Sequence, residues 1–106
     1  MFRVDYDPMA DRDFDGIVDF ILDDLQSASA LMHFEQMIDN AVYGVLANQP
    51  QAGSGLTCKS DSVRKFFAGQ NYWVVYEVRD DLIMVLRVLH ARKLTDWTKV
   101  DLPERP

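Results

Sequence analysis

The chain has 106 residues, 48% hydrophobic and 26% charged, with a net charge of −6. That length fits one domain able to bury a core without staples. The single Cys58 excludes an internal disulfide and suits a reducing compartment, and no CxxC or CxxH pair is present to build a zinc site.

Phe2-Arg-Val-Asp-Tyr6 alternates apolar and polar residues and predicts a short strand. Asp7-Pro8 then opens a helix, with Asp able to cap the first free N–H groups and Pro tolerated at the first helical position. Asp11 and Asp13 suit the positive end of the helix dipole. Phe14, Ile17, Val18, Ile21, Leu22 and Leu25 form one apolar stripe, so the helix is expected to run to about Leu25. Ser27-Ala-Ser29 reads as a cap and turn. Leu31, Phe34, Ile38, Ala41, Val42, Val45 and Leu46 define a second amphipathic helix that stops before Asn48-Gln-Pro50. Two stripes on a short connection predict an antiparallel helical hairpin.

Residues 51–61 have no period and hold Gly53, Ser54 and Gly55, the mark of a loop. Three strands follow: Ser62–Phe67, Tyr72–Arg79 and Leu82–His90, joined by turns at Ala68–Asn71 and Asp80-Asp81. The last is apolar on both faces, which predicts a central position in the sheet. The polar stretch after Lys93 reads as a tail with a helical turn near Thr95–Lys99. The expected order is β-αα-βββ, an α+β domain. The first strand joins the sheet edge, the helical hairpin covers one face, and the other face is left for function. The domain is expected over 1–94, with a tail over 95–106. No run approaches the ~18 apolar residues of a membrane span, and the start carries no signal peptide, so a cytoplasmic location is expected.

Charge divides unevenly. Residues 1–58 carry two cations and ten anions (−8), while residues 59–106 carry nine cations and seven anions (+2). An anionic partner is expected to approach the second half. Arg64 and Lys65 are strand neighbours and point to opposite faces. Arg87 interrupts an apolar face between Val85 and Leu89, which implies either a buried ion pair, with Glu77 as the candidate partner, or a cleft. His90 is the side chain best placed to exchange a proton near neutral pH. On simple alternation it shares a face with Leu86, Val88 and Arg92 and lies opposite Arg87, so the two converge only if the strand is bulged or ends early. Tyr72 and Tyr76 share a face with Val74 and read as core or cleft wall. Trp97 is a core plug or a partner anchor, and His33 lies among solvent-facing positions.

The chain resembles the RelE/ParE family of bacterial toxins over roughly residues 2–94. The resemblance is carried by Asp7-Pro8-x-Ala10, Asp13-Phe14, Val63-Arg64-Lys65-Phe66, Gly69, Tyr72, Tyr76, Asp80-Asp81 and Ile83. Its most specific segment is Leu86-Arg-Val-Leu-His90-Ala-Arg92, which looks more like the ParE branch than the RelE branch. It implies the toxin of a type II toxin–antitoxin pair, neutralised by a cognate antitoxin, as a homodimer or a toxin–antitoxin hetero-oligomer. ParE-like members poison DNA gyrase by binding it; here that surface would comprise Arg64, Lys65, Arg87, His90, Arg92 and Lys93, with no catalytic residues. RelE-like members enter the ribosome and cut mRNA; here His90, Arg64 and Arg87 would be the catalytic set, with Arg87 matching the Arg such enzymes use on the transition-state phosphate. A third reading is a non-toxic homologue that binds only an antitoxin. The net charge and the poor convergence of Arg87 and His90 favour gyrase over the ribosome. No cofactor or metal is implied.

Overall fold

The computed structural model describes residues 1–94 and 96–104. β1 (Arg3–Tyr6) leads into α1 (Pro8–Phe20). Asp7 closes the start of α1 by accepting the Met9 N–H at 2.9 Å, and Pro8 sits where no intrahelical donor is required. The helix continues as a π-helical turn, Ile21–Leu25, and ends at Gln26 with φ 51°. Ser27 caps α2 (Ala28–Asp39) by accepting the Ala30 N–H at 3.1 Å, and a second π-helical stretch, Asn40–Leu46, completes the hairpin. β2 (Ser54–Gly55), β3 (Val63–Ala68), β4 (Tyr72–Arg79) and β5 (Leu82–His90) follow. Short 3₁₀ turns at Ala91–Lys93 and Trp97–Lys99 come after the last strand. The expected turn near Thr95–Lys99 is thus found over its second part, and Thr95 lies outside the described residues.

The sheet order is β1-β5-β4-β3-β2, so the strand predicted to be central is flanked on both sides. The expected α+β layout holds, with two differences. The sheet is mixed, because β1 runs parallel to β5 with Arg3 opposite Leu82 and Tyr6 opposite Val85. The helical hairpin and three strands separate the two, ample chain for a crossover. The second difference is β2, which pairs Ser54 with Lys65 and Gly55 with Arg64. Two residues are too few to carry an alternation pattern.

Turn chemistry fixes the hairpins. Asp80 adopts φ 53° in the two-residue β4–β5 turn, a conformation Asp tolerates. Gly69 has φ 62° in the β3–β4 turn, a left-handed conformation that favours glycine, and it lies against the Met37 side chain.

The sheet is covered on both faces. On the helical side Phe34, Ile38, Val42 and Leu46 pack with Val74, Tyr76, Ile83, Val85 and Val88. On the other, Leu56, Val63, Val75 and Leu86 are buried, with Trp97 and Leu102 laid against them. The expectation of an open second face is therefore overturned: residues 96–104 form a strap across it, and Val100 is also buried. This is why β4 and β5 are apolar on both sides. Among the described residues no helix is long and apolar enough to cross a membrane.

One irregularity decides which side chains face which layer. Val75 pairs with Arg87 but Tyr76 pairs with Val85, leaving Leu86 as the extra residue of a bulge. Ile83, Val85 and Val88 thus face the helices while Leu86 joins the opposite cluster. The reading that Leu86, Val88 and His90 share a face holds for Val88 and His90 and fails for Leu86.

The loop before β3 is fastened by Tyr76. Its hydroxyl donates to the Pro50 carbonyl at 2.7 Å and accepts the Gly53 N–H at 3.0 Å. A Cβ on Gly53 would lie 2.6 Å from that hydroxyl and from the Lys65 carbonyl oxygen. Tyr76→Phe leaves both partners unpaired and is expected to lower the unfolding free energy by about 1–3 kcal/mol. Urea denaturation measures this, and an unshifted midpoint would contradict it.

Candidate functional site

Arg87 and Asp13 join α1 to β5. β1 ends its pairing when the Asp7 N–H donates to the Val85 carbonyl at 2.8 Å, and beyond it the β5 edge has no strand neighbour. Asp13 takes that place. Its Oδ2 accepts the Val88 N–H at 3.0 Å, and its two oxygens accept from Arg87 Nε (2.7 Å) and Nη2 (2.9 Å). Arg87 Nη1 donates to the Asp101 carbonyl in the strap at 2.7 Å. The two side chains are 17% and 16% exposed. This bidentate, charge-assisted geometry holds the guanidinium firmly cationic; the hydrogen bond to Asp13 outweighs the opposing effect of burial.

The partner expected for Arg87, Glu77, is bound elsewhere. It is 2% exposed, accepts from Ser62 Oγ at 2.5 Å and pairs with Arg79 Nε at 2.6 Å. Asp13 went unrecognised because 74 residues separate it from Arg87, and its place early in a helix already had a sufficient electrostatic explanation.

The six residues expected at one docking surface fall in different places. Arg64 reaches the loop, donating from Nη2 to the carbonyls of Gln51 (3.2 Å) and Gly53. Lys65, on the other face, donates to Ser54 Oγ at 2.9 Å and lies over the rings of Trp73 (5.6 Å) and Trp97 (5.7 Å). Trp97 itself meets Trp73 edge-on, with centroids 5.3 Å apart. Arg87 is held as described. The bulge lies N-terminal to both Arg87 and His90, so it leaves them on opposite sides.

His90, Arg92 and Lys93 do come together, at the C-terminal end of β5. They edge a groove of about 830 Å³ between α1, α2 and β5. Ile17, Ile21, Phe34, Tyr72 and Leu89 line its apolar part; Arg12 and His33 join the polar rim, and Arg87 is not among the lining residues. Phe20 and Leu25, also lining it, remain 47% and 53% exposed. Lys93 Nζ lies 5.8 Å from the centre of the Phe20 ring. Arg12 and His33 had no part in the expected surface; their positions on two helices converge only in three dimensions.

His90 meets Tyr72 edge-on, ring centroids 4.9 Å apart, and its Nδ1 accepts the Arg92 N–H at 3.1 Å. That bond needs an unprotonated Nδ1. Burial, then the charges of Arg92 and Lys93, hold the imidazole below its ordinary range. Among the described residues no cluster of His, Cys, Asp and Glu is arranged to hold a metal. The groove thus joins an apolar bed to a polar rim of Arg12, Asp13, His33, His90, Arg92 and Lys93.

Two measurements check this account. Arg87→Lys keeps the charge but loses the fork that engages Asp13, and loss of charged hydrogen bonds is expected to destabilise the fold by about 1.5–3 kcal/mol. Asp13→Asn added to it should cost much less than a second independent loss, as a double-mutant cycle in urea would register; simple additivity would argue against the pair. In an NMR titration His90 should protonate below the ~6.5 of a free imidazole. Replacing Arg92 and Lys93 with Gln should raise its midpoint without restoring the free value, because burial is the larger cause.

Comparison with known proteins accords with the geometry. The sequence model of the ParE toxin of the type II toxin–antitoxin system parDE matches residues 4–95. No curated protein matches. Among solved structures, the chromosomal ParDE toxin–antitoxin system from P. aeruginosa superposes with a TM-score of 0.69 at 21% identity, covering 85% of this chain and 96% of that one, a likeness of fold. With the family match spanning most of its length, the chain belongs to the ParE toxin family and is the toxin component of a type II toxin–antitoxin system.

Proposed function

We propose that the chain arrests growth by binding DNA gyrase and is silenced by a cognate antitoxin. The observation that carries this reading is the separation of Arg87 from His90. Cleavage of RNA through its 2′-hydroxyl needs a base, an acid and cations converging on one phosphate. Here Arg87 is locked to Asp13 and the Asp101 carbonyl, and Arg64 to loop carbonyls. Recruiting either to a phosphate would break bonds that hold the fold. His90 is left with Arg92 and Lys93, which repel its charged form.

Docking is a lesser demand. Arg92 and Lys93 are exposed, and neither takes part in an ion pair among the described residues. Of the five cations and one histidine expected to meet the target, these two cations are the most available, with His90 beside them. The net charge of −6 also disfavours entry into an RNA-lined site, where phosphate neutralisation dominates affinity.

The purified chain added to a gyrase supercoiling reaction is expected to leave the DNA relaxed, while a coupled translation reaction proceeds unaffected. Arrested translation with cut mRNA would instead establish a nuclease, and normal growth of cells expressing the chain alone would exclude both activities.

A further inference from the structure

Strand register sets a row of side chains across the sheet: Lys65 stands opposite Val75, and Val75 opposite Arg87. Residues paired in this way share a face. The two cations therefore flank Val75 on the side away from the helices, and Phe67, Trp73 and Leu89 form the next row. Residues 96–104 lie on this face much as a bound peptide would. Trp97 meets Trp73 edge-on and lies under the Lys65 ammonium. Trp97 and Leu102 pack on Leu56, Val63, Val75 and Leu86, and Val100 is buried. The Asp101 carbonyl accepts from Arg87 Nη1 at 2.7 Å.

The attachment is thin. Among the described residues no backbone–backbone hydrogen bond joins the strap to a strand; its own, from the Lys99 and Val100 N–H groups to the Asp96 and Trp97 carbonyls, are internal. Trp97, Val100, Leu102 and one guanidinium hold the segment against its chain entropy. A segment with few buried contacts and no ladder opens before the sheet does. The strap also lies beyond residues 4–95, the stretch matched to the toxin family.

We infer that residues 96–104 are an autoinhibitory strap: it opens as a unit, and the face beneath it then takes an extended segment of the target with the strap's own chemistry. That segment brings an aromatic ring to Trp73 and Lys65, aliphatic side chains to the apolar bed and an acceptor to Arg87 Nη1. The inference rests on the reading that the target is DNA gyrase. Arg87 keeps both bonds to Asp13 when the strap leaves, so the exchange spares the ion pair. Arg92 and Lys93 are exposed with the strap closed and meet the target first. A binding-competent state populated only in part weakens apparent affinity by that fraction. Loosening the strap must then strengthen inhibition by the factor by which it favours opening.

Hydrogen exchange and gyrase supercoiling, both on the full chain, test this together. In the wild type the Lys99 and Val100 amides are expected to exchange through an opening at least ~10-fold more populated than that of β4 and β5. Trp97→Ala and Val100→Ala should each raise that opening at least ~3-fold, with β4 and β5 still the slower to exchange, and lower the half-inhibitory concentration by the same factor. Lys99→Ala, at an exposed strap position, should change neither. Lys65→Glu should separate the two readouts: the strap opens more readily once the ammonium leaves the tryptophan rings, yet inhibition weakens because the uncovered face has lost its cation. Strap amides that exchange only together with the sheet overturn the inference. So do loosened variants that inhibit no better than a wild type that does inhibit, and loosened variants that dimerise, which would assign the face to a second copy. A wild-type chain without effect on gyrase removes the target reading and the inference with it.

Discussion

The ion pair of Arg87 with Asp13 is the contact through which the layers of this protein find one another. β1 covers only the first part of the β5 edge, and past Val85 the strand would present bare backbone donors. A buried N–H without an acceptor costs free energy on the scale of a lost hydrogen bond. Asp13 supplies that acceptor at Val88 and in the same stroke neutralises Arg87. Arg87 in turn holds the strap through the Asp101 carbonyl. One guanidinium thereby fixes the crossing of α1 over the sheet, the exposed edge of β5 and the cover on the opposite face.

The groove inherits its shape from that anchor. Ile17 and Phe20 lie four and seven residues after Asp13, on the same side of α1. Fixing Asp13 against Val88 sets the distance of both from the end of β5. The strand then passes into the 3₁₀ turn Ala91–Lys93, where the Ala91 N–H donates to the Asn71 carbonyl and the Arg92 N–H to His90 Nδ1. The rim cations are therefore carried on a segment that leaves the sheet immediately after the anchored stretch.

Much of the fold was legible because local and global signals agree. The β4 and β5 limits, the Asp7-Pro8 start and the Ser27 cap each follow from nearby residues and recur in the structure unchanged. The bulge at Leu86 left no trace, because a strand apolar on both faces has no period for an extra residue to interrupt. The packing of the strap was only partly legible: Trp97 reads as a possible core plug, but Val100 and Leu102 are spaced among polar residues and gain their meaning from the hydrophobic face they cover. The site was legible in its charges but not in their grouping. Alternation separates Arg64 from Lys65 and Arg87 from His90, yet nothing local announces that Arg12 on α1 and His33 on α2 meet the end of β5.

Two kinds of cation result. Arg64 and Arg87 are bound to internal acceptors, and their removal would be felt by the fold. Arg92 and Lys93 have no such acceptors among the described residues, and together with burial, the larger cause, they hold the imidazole of His90 toward its neutral form. To the effect of burial the two neighbouring cations add a repulsion of their own. Because linkage is reciprocal, a carboxylate placed against Arg92 and Lys93 must relieve it, raising the affinity of His90 for a proton and being held more tightly once that proton is bound.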